Sequence, residues 1–247
     1  MHSELGKEMM AELERVEGYR ISDEHKEIYS DLVVSEAELV IKLDGEVYRT
    51  LHCLPTHLED LARGHLVSEG ICCPSDIRSM EVGQDGNKLT IAIMLDGRNP
   101  LSMEAANMQA NITTAEIWDA MKRLDENSVL FRDTGGTHVA GIYDRQNYIF
   151  VEDVSRHCVV DKVIGLAFDN EIDLTNSMLI TSGRQTVSTV EKAARVQIPV
   201  LVSISAPTSL AIETARKFGI TLIGFARGHR FNIYSHEWRV IDSGLGM

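Results

Sequence analysis

The 247 residues contain no window of about 18 apolar residues, so no transmembrane helix is expected. Acidic side chains interrupt the first twenty residues, so no secretory signal is expected either, and the cytoplasm is the expected location. Cysteine is scarce. Cys53, Cys72, Cys73 and Cys158 form no Cys-x-x-Cys pair, which excludes a zinc framework or a disulfide scaffold, and no metal site is expected. Positive charge is short as well: 24 Lys and Arg against 37 Asp and Glu, for a net charge of −13. A general nucleic-acid binder needs a basic face, so no nucleic-acid partner is expected. The phosphate-loop and dinucleotide glycine fingerprints are missing, as are the zinc-deaminase and serine-nucleophile patterns.

What remains is an ordinary globular composition, 44% hydrophobic and 25% charged, long enough for one large or two small cores. Leu5, Met9, Leu13 and Val16 share a helical face, predicting an amphipathic N-terminal extension over 1–30. Leu39, Ile41 and Leu43 alternate up to Asp44-Gly45, and Val47, Arg49 and Leu51 follow, which is a hairpin pattern. Pro55 and Thr56 open a helix, with Glu59 completing a capping box. A second hairpin turns near Asp85-Gly86. Residues 98–111 read as a loop, and Thr113 with Glu116 caps the next helix. A β-rich unit over 31–130 is therefore expected, followed by an α/β unit over 131–247.

In that second unit, strands are predicted at 138–143, 148–152, 178–181, 198–204 and 220–224. Helices intervene at 186–196 and 208–217, another helix carries Val160, Val163, Ile164 and Ala167, and edge strands at 232–235 and 238–241 end the chain. The β-α-β-α-β run implies parallel strands whose loops emerge at one carboxyl edge, where open α/β sheets bind ligands. Those loops read Ser182-Gly183-Arg184, Ser205-Ala206-Pro207-Thr208 and Phe225-Ala226-Arg227-Gly228-His229-Arg230. Arginines beside small and hydroxyl residues suit a phosphate, and Phe225 could stack on a base. Each loop also has a plainer reading: Thr208 as a helix cap, the arginines as solvated surface. Gly135 and Gly136, before His138, either form a structural turn or let a ligand approach closely. Asp153, Ser155, Arg156 and His157 crowd a strand-to-helix junction. A cap at Asp153 or Ser155 explains part of this, and Asp161 and Lys162 read as an exposed pair on the following helix.

The runs TGGTHVAGIYD, VEDVSRHCVVDKVIG, SGR, SAPTSLA and TLIGFARGHRFNIYS, with LPTHLEDLARGHLVSEGI upstream, together resemble the formate dehydrogenase accessory protein family, FdhD, over roughly 35–240. The resemblance implies a cytoplasmic homodimer that takes sulfur from a cysteine desulfurase as a persulfide. It implies transfer of that sulfur to the molybdenum or tungsten bis-molybdopterin guanine dinucleotide, held as cargo, for the formate dehydrogenase catalytic subunit. It also implies a C-terminal fold like a cytidine deaminase without its zinc, a three-layer α/β unit. The family's cofactor segment falls on Phe225, Ala226, Arg227, Gly228, His229 and Arg230. Ser182, Gly183, Arg184, Ser205, Pro207 and Thr208 would complete the grip. Gly135, Gly136, His138, Asp153, Arg156 and His157 would line the reacting end.

One departure matters. The family's Cys-Gly-x-Cys-Gly segment corresponds here to Asn107-Met108-Gln109-Ala110-Asn111-Ile112-Thr113, which has no thiol. Cys158, beside Arg156, His157 and a helix start, is the substitute carrier to test, with a lowered thiol pKa expected. The alternative is a cofactor-binding chaperone that has lost sulfur transfer.

Overall fold

The computed structural model describes residues 12–85, 88–103 and 111–242. The turn expected at Asp85-Gly86 and the cysteine-segment counterpart over 107–110 lie at least partly outside these residues.

The described chain opens with a two-stranded ribbon, β1 (Leu13–Ile21) paired with β2 (Lys26–Val34) over nine residue pairs. This corrects the expected helix over the second half of 1–20. Val16, Tyr19 and Ile21 favour extended backbone, and Gly18 weakens a helix. Residues 1–11 lie outside the described range.

Next comes a four-stranded sheet, ordered β4-β3-β6-β5, from β3 (Ala37–Leu43), β4 (Glu46–Cys53), β5 (Ile77–Asp85) and β6 (Lys88–Leu95). Its alternating Leu39, Ile41, Leu43, Ile91 and Ile93 bury one face against helix α1 (Leu58–Ser68). The expected capping box of α1 does not form. His57 takes the cap position at φ 53° without a side-chain bond, and Thr56 Oγ1 donates to Glu12 instead.

The larger sheet has six strands in the order β13-β12-β11-β10-β8-β9. Its members are β8 (His138–Tyr143), β9 (Tyr148–Asp153), β10 (Met178–Thr181), β11 (Val200–Ser203), β12 (Thr221–Arg227) and β13 (Arg230–Ser235). As expected, β10, β11 and β12 are parallel, while β8, β9 and β13 run against their neighbours. Short β7 (Ile112–Thr113) pairs with β14 (Val240–Ile241) apart from this sheet. Trp238 lies in a 3₁₀ turn, so the expected edge strand at 238–241 shrinks to two residues.

Three layers result. On one face, α4 (Cys158–Asp169), α5 (Val187–Arg195) and α6 (Ser209–Lys217) pack on Ala140, Ile142, Leu179, Leu201 and Leu222. On the other, α2 (Thr114–Glu126) lays Ile117, Ala120, Met121 and Leu124 on Val139, Ile180, Val202 and Ile223. The capping box of α2 forms as expected, Thr113 Oγ1 accepting from Glu116 N–H while Glu116 accepts from Thr113 N–H. Helix α2, which precedes residue 130, thus contributes to the core of the six-stranded sheet. Helix α3 (Val129–Thr134) links α2 to β8.

The two sheets join where α1 crosses α4. A Cβ on Gly64 would stand 1.8 Å from the Asp161 carbonyl oxygen, and one on Gly165 1.9 Å from that of Asp60. Only glycine allows backbones this close. Around the crossing two buried lysines make three ion pairs. Lys162 Nζ sits 2.6 Å from Asp153 and donates to the Leu54 carbonyl. Lys192 Nζ sits 2.6 Å from both Asp161 and Glu69. Asp161 and Lys162, expected as an exposed pair, are thus buried and bonded to separate partners.

Candidate functional site

The three loops, two of them arginine-bearing, meet at the carboxyl edge of β10, β11 and β12, hydrogen-bonded to one another. Gln185 N–H donates to the Ala206 carbonyl at 3.2 Å, and Thr208 N–H donates to the Gln185 carbonyl at 3.0 Å. Phe225 N–H reaches the Ser205 carbonyl at 3.1 Å, and Ser203 Oγ donates to the Gly183 carbonyl at 2.7 Å. Thr208 caps α6 through Ala211 N–H, so its plainer reading holds. Pro207 packs on Gly224, where a Cβ would meet its Cδ at 2.9 Å. Gly183 is buried against Arg156, and a Cβ on this glycine would stand 3.4 Å from the arginine Cβ.

The third loop carries the most strain. Phe225 is exposed at φ 54°, a left-handed backbone uncommon for a bulky side chain, inside a bulge of β12. Beyond it, Gly228-His229 turns the chain so that Arg227 and Arg230 stand directly opposite each other. Like charges so placed repel unless an anion joins them. Arg227 Nε donates to the Ile204 carbonyl at 3.2 Å, and His229 stacks on Trp118 of α2 with centroids 4.7 Å apart. Ala226, by contrast, is buried in the core beneath.

Two adjoining cavities lie between this edge and α2. One, of about 680 Å³, is bordered by Trp118, Lys122, Arg227 and His229. The other, about 350 Å³ and mostly apolar, is bordered by Phe131, Gly135, Gly136, His138 and Ser182. Met121, Asp125 and Ile204 line both. Gly135 is the left-handed end of α3, at φ 69°, so the glycine turn has a structural role and borders a cavity too. Glu152 fixes this corner, accepting from Leu130 N–H, Phe131 N–H and Thr137 Oγ1 at 2.8–2.9 Å. His138 Nδ1 lies 3.4 Å from Ser182 Oγ. Burial, and then the positive charge of Arg156, lower its pKa below the usual histidine value.

Arg156, Arg184, Arg227 and Arg230 make no ion pair among the described residues, although the chain carries a net charge of −13. Four such arginines on or beside one sheet edge make a local excess of positive charge in an acidic protein.

The remaining expected residues lie elsewhere. Asp153 is fully buried. Besides Lys162 it accepts from Leu54 N–H and Ser155 N–H, which is a structural role. His157 and Cys158 border a separate polar cavity of about 670 Å³ with His65, Asp161 and Lys192. Arg156 Nε donates to His157 Nε2 at 3.3 Å. Cys158 is buried and its thiol is pushed up to about 12, against the lowered value expected, because loss of water outweighs its position at the start of α4.

Sequence reading missed the α2 wall. Trp118, Met121 and Asp125 follow i, i+3, i+7 spacing, so they share a helical face, but nothing local shows that this face meets the sheet edge.

These features describe a three-layer α/β protein with a cleft beside its parallel strand ends and arginines on the adjoining loops. The profile of the FdhD/NarQ family matches residues 34–107 and 94–241. The "Sulfur carrier protein FdhD" of Methanothermobacter thermautotrophicus is 33% identical over 243 residues, covering 92% of this chain and 98% of its own length. Its namesake from Wolinella succinogenes is 31% identical, covering 92% and 87%. Among solved structures, a protein assigned as a formate dehydrogenase accessory protein from Desulfotalea psychrophila superimposes with a TM-score of 0.84 at 28% identity, covering 93% of this chain and all of that one. The chain belongs to the FdhD/NarQ family.

Proposed function

We propose that this chain serves formate dehydrogenase maturation by holding the bis-guanine-dinucleotide molybdenum or tungsten cofactor in the cleft between α2 and the strand ends. The observation that carries this reading is the set of four arginines without carboxylate partners around three interlocked loops. Arg227 and Arg230 would take phosphates, and the adjoining apolar pocket would cover a base. The recipient would be the catalytic subunit of formate dehydrogenase, and the holder a homodimer.

For sulfur, the structure favours holding over carrying. Burial raises the thiols of Cys53 and Cys158 to about 12 and that of Cys72 to about 11. Cys73 is half-buried beside Ser75 Oγ at 3.1 Å. A persulfide carrier needs an accessible thiolate. The competing reading has a cysteine desulfurase load Cys158, which borders the polar cavity.

Two measurements test these readings. Titration with guanosine diphosphate at low salt should give saturable binding that Arg227→Ala weakens about tenfold or more, the loss of one charged hydrogen bond. No binding to the native protein at millimolar ligand would overturn the cleft. Incubation with a cysteine desulfurase and cysteine should leave the intact mass unchanged. A sulfur adduct on Cys158 would restore the carrier.

A further inference from the structure

The cleft contains one acid that nothing in the fold uses. With it, α2 carries four acidic residues, and the other three are tied down. Glu116 bonds Thr113 and pairs with Arg145, Asp119 holds Arg123 and Tyr148, and Glu126 pairs with Lys122. The fourth, Asp125, is exposed, and its carboxylate makes no hydrogen bond or ion pair among the described residues. It lies on the wall shared by the two cavities, with an apolar pocket of about 350 Å³ on one side and the arginine-bearing space on the other.

We infer that Asp125 selects guanine over other bases in this cleft, a specificity role that rests on the nucleotide-binding reading above. A flat base suits the apolar pocket between Leu124, Phe131, Val139 and Ile204. A carboxylate accepts two parallel hydrogen bonds. Guanine offers N1–H and the 2-amino group side by side on one edge. Adenine sets an acceptor, N1, beside its amino donor, so its ring nitrogen would face the carboxylate lone pairs. The same negative charge repels phosphate, which leaves the tail to Arg227, Lys122 and His229 in the adjoining space. Hydrophobic contact would thus hold the base, and Asp125 would read it.

The test is calorimetric titration of the full chain with the diphosphates of guanosine, inosine, adenosine and xanthosine, for the native protein, Asp125→Asn and Asp125→Ala. A hydrogen bond to a charged acceptor corresponds to about tenfold or more in affinity. The native protein should prefer guanosine over inosine diphosphate, which lacks the 2-amino group, by about that factor. Asp125→Asn should lose the preference and gain affinity for xanthosine diphosphate, whose 2-oxo group accepts from the new amide. A merely structural role would not produce that gain. Asp125→Ala should lose the preference without the gain, and both variants should melt as the native protein does. If native protein binds guanosine diphosphate but ignores the base, or if Asp125→Asn keeps the native preference, this inference fails and the cleft reading stands. If no nucleotide binds the native protein, both fall.

Discussion

Replacing Gly165 with alanine should destabilise the protein, against the local trend. Gly165 lies inside α4, where Gly→Ala normally gains about 1 kcal/mol of helix propensity. Here the new Cβ would lie 1.9 Å from the Asp60 carbonyl oxygen and 2.6 Å from its carbon. A carbon-to-oxygen contact settles near 3.3 Å, so the backbones of α1 and α4 must part by about 1.4 Å. Two buried bonds cross the same junction, His65 Nδ1 to Asp161 at 2.9 Å and Ser68 Oγ to Asp161 at 2.7 Å. A parting of that size takes both beyond hydrogen-bond range. Overpacking costs about 1–3 kcal/mol, and a buried polar group left unpaired about as much again. After the propensity gain, a net loss of about 3 kcal/mol remains, which at this chain length lowers the melting temperature by about 6–12 °C. Urea unfolding of Gly165→Ala measures it, with Gly83→Ala as control, since nothing lies within 4 Å of a Cβ there. Native or higher stability in Gly165→Ala would refute the account of the crossing.

Other expectations follow from the charges. Arg230→Ala should weaken guanosine diphosphate binding yet raise the stability of the empty protein by up to about 0.5 kcal/mol, because it removes a like-charge pair; paired titration and melting curves check both signs. Burial pushes the Asp161 carboxyl up, but Lys192 and His65 outweigh it and hold it at about 2. Its folded pKa is below the unfolded value near 3.8, so its stabilisation is complete above that value and is lost as pH falls towards 2. The stability gap between native protein and Asp161→Asn should therefore be constant at neutral pH and close over that window in urea titrations. Lys162→Ala strands the buried Asp153 and should cost about 3–5 kcal/mol, whereas the joint Lys162→Met, Asp153→Leu change should recover much of it. Cys158 should resist iodoacetamide at pH 8 in the native protein and react in urea; rapid native alkylation would contradict its burial.

The C-terminal sheet was readable because its evidence is local. Strand 178–181 is a four-residue apolar run closed by Ser-Gly, and Thr208 caps a helix three residues before Ala211. The edge loops inherit their shared location from that order, without any knowledge of side chains. What escaped was set by distant partners. Asp161 meets His65 across 96 residues and Lys192 across 31. A four-residue view of Asp161 beside Lys162 suggests a surface pair, whereas Asp161 is held by α1 and α5 and Lys162 by Asp153 at the end of β9. Cys158 was misread for the same reason. Its helix start suggests a lowered thiol pKa, but the α1 side of the crossing excludes the water a thiolate needs. The N-terminal ribbon was misread because its leucines and valines fit a helical period as readily as a strand, and its pairing with Lys26–Val34 decided the matter.

Several unfavourable features of this structure converge on one cleft. Phe225 holds a left-handed backbone, Arg227 and Arg230 face each other, Trp118 Nε1 is buried without a partner, and the Asp125 carboxylate is unpaired among the described residues. All lie on β12, its hairpin or the α2 face opposite, while the charged groups of Asp153 and Asp161 are bonded despite deeper burial. A left-handed Phe225, two facing arginines and an unpartnered indole N–H beside one cleft fit a preorganised binding site. An anion between the arginines would turn their repulsion into attraction, so binding should stabilise the fold most at the element that is weakest without it. By mass action, a ligand at a hundred times its Kd adds about 2.7 kcal/mol. That gain should appear at the β12–β13 hairpin as slowed amide exchange before it appears in the global melting transition.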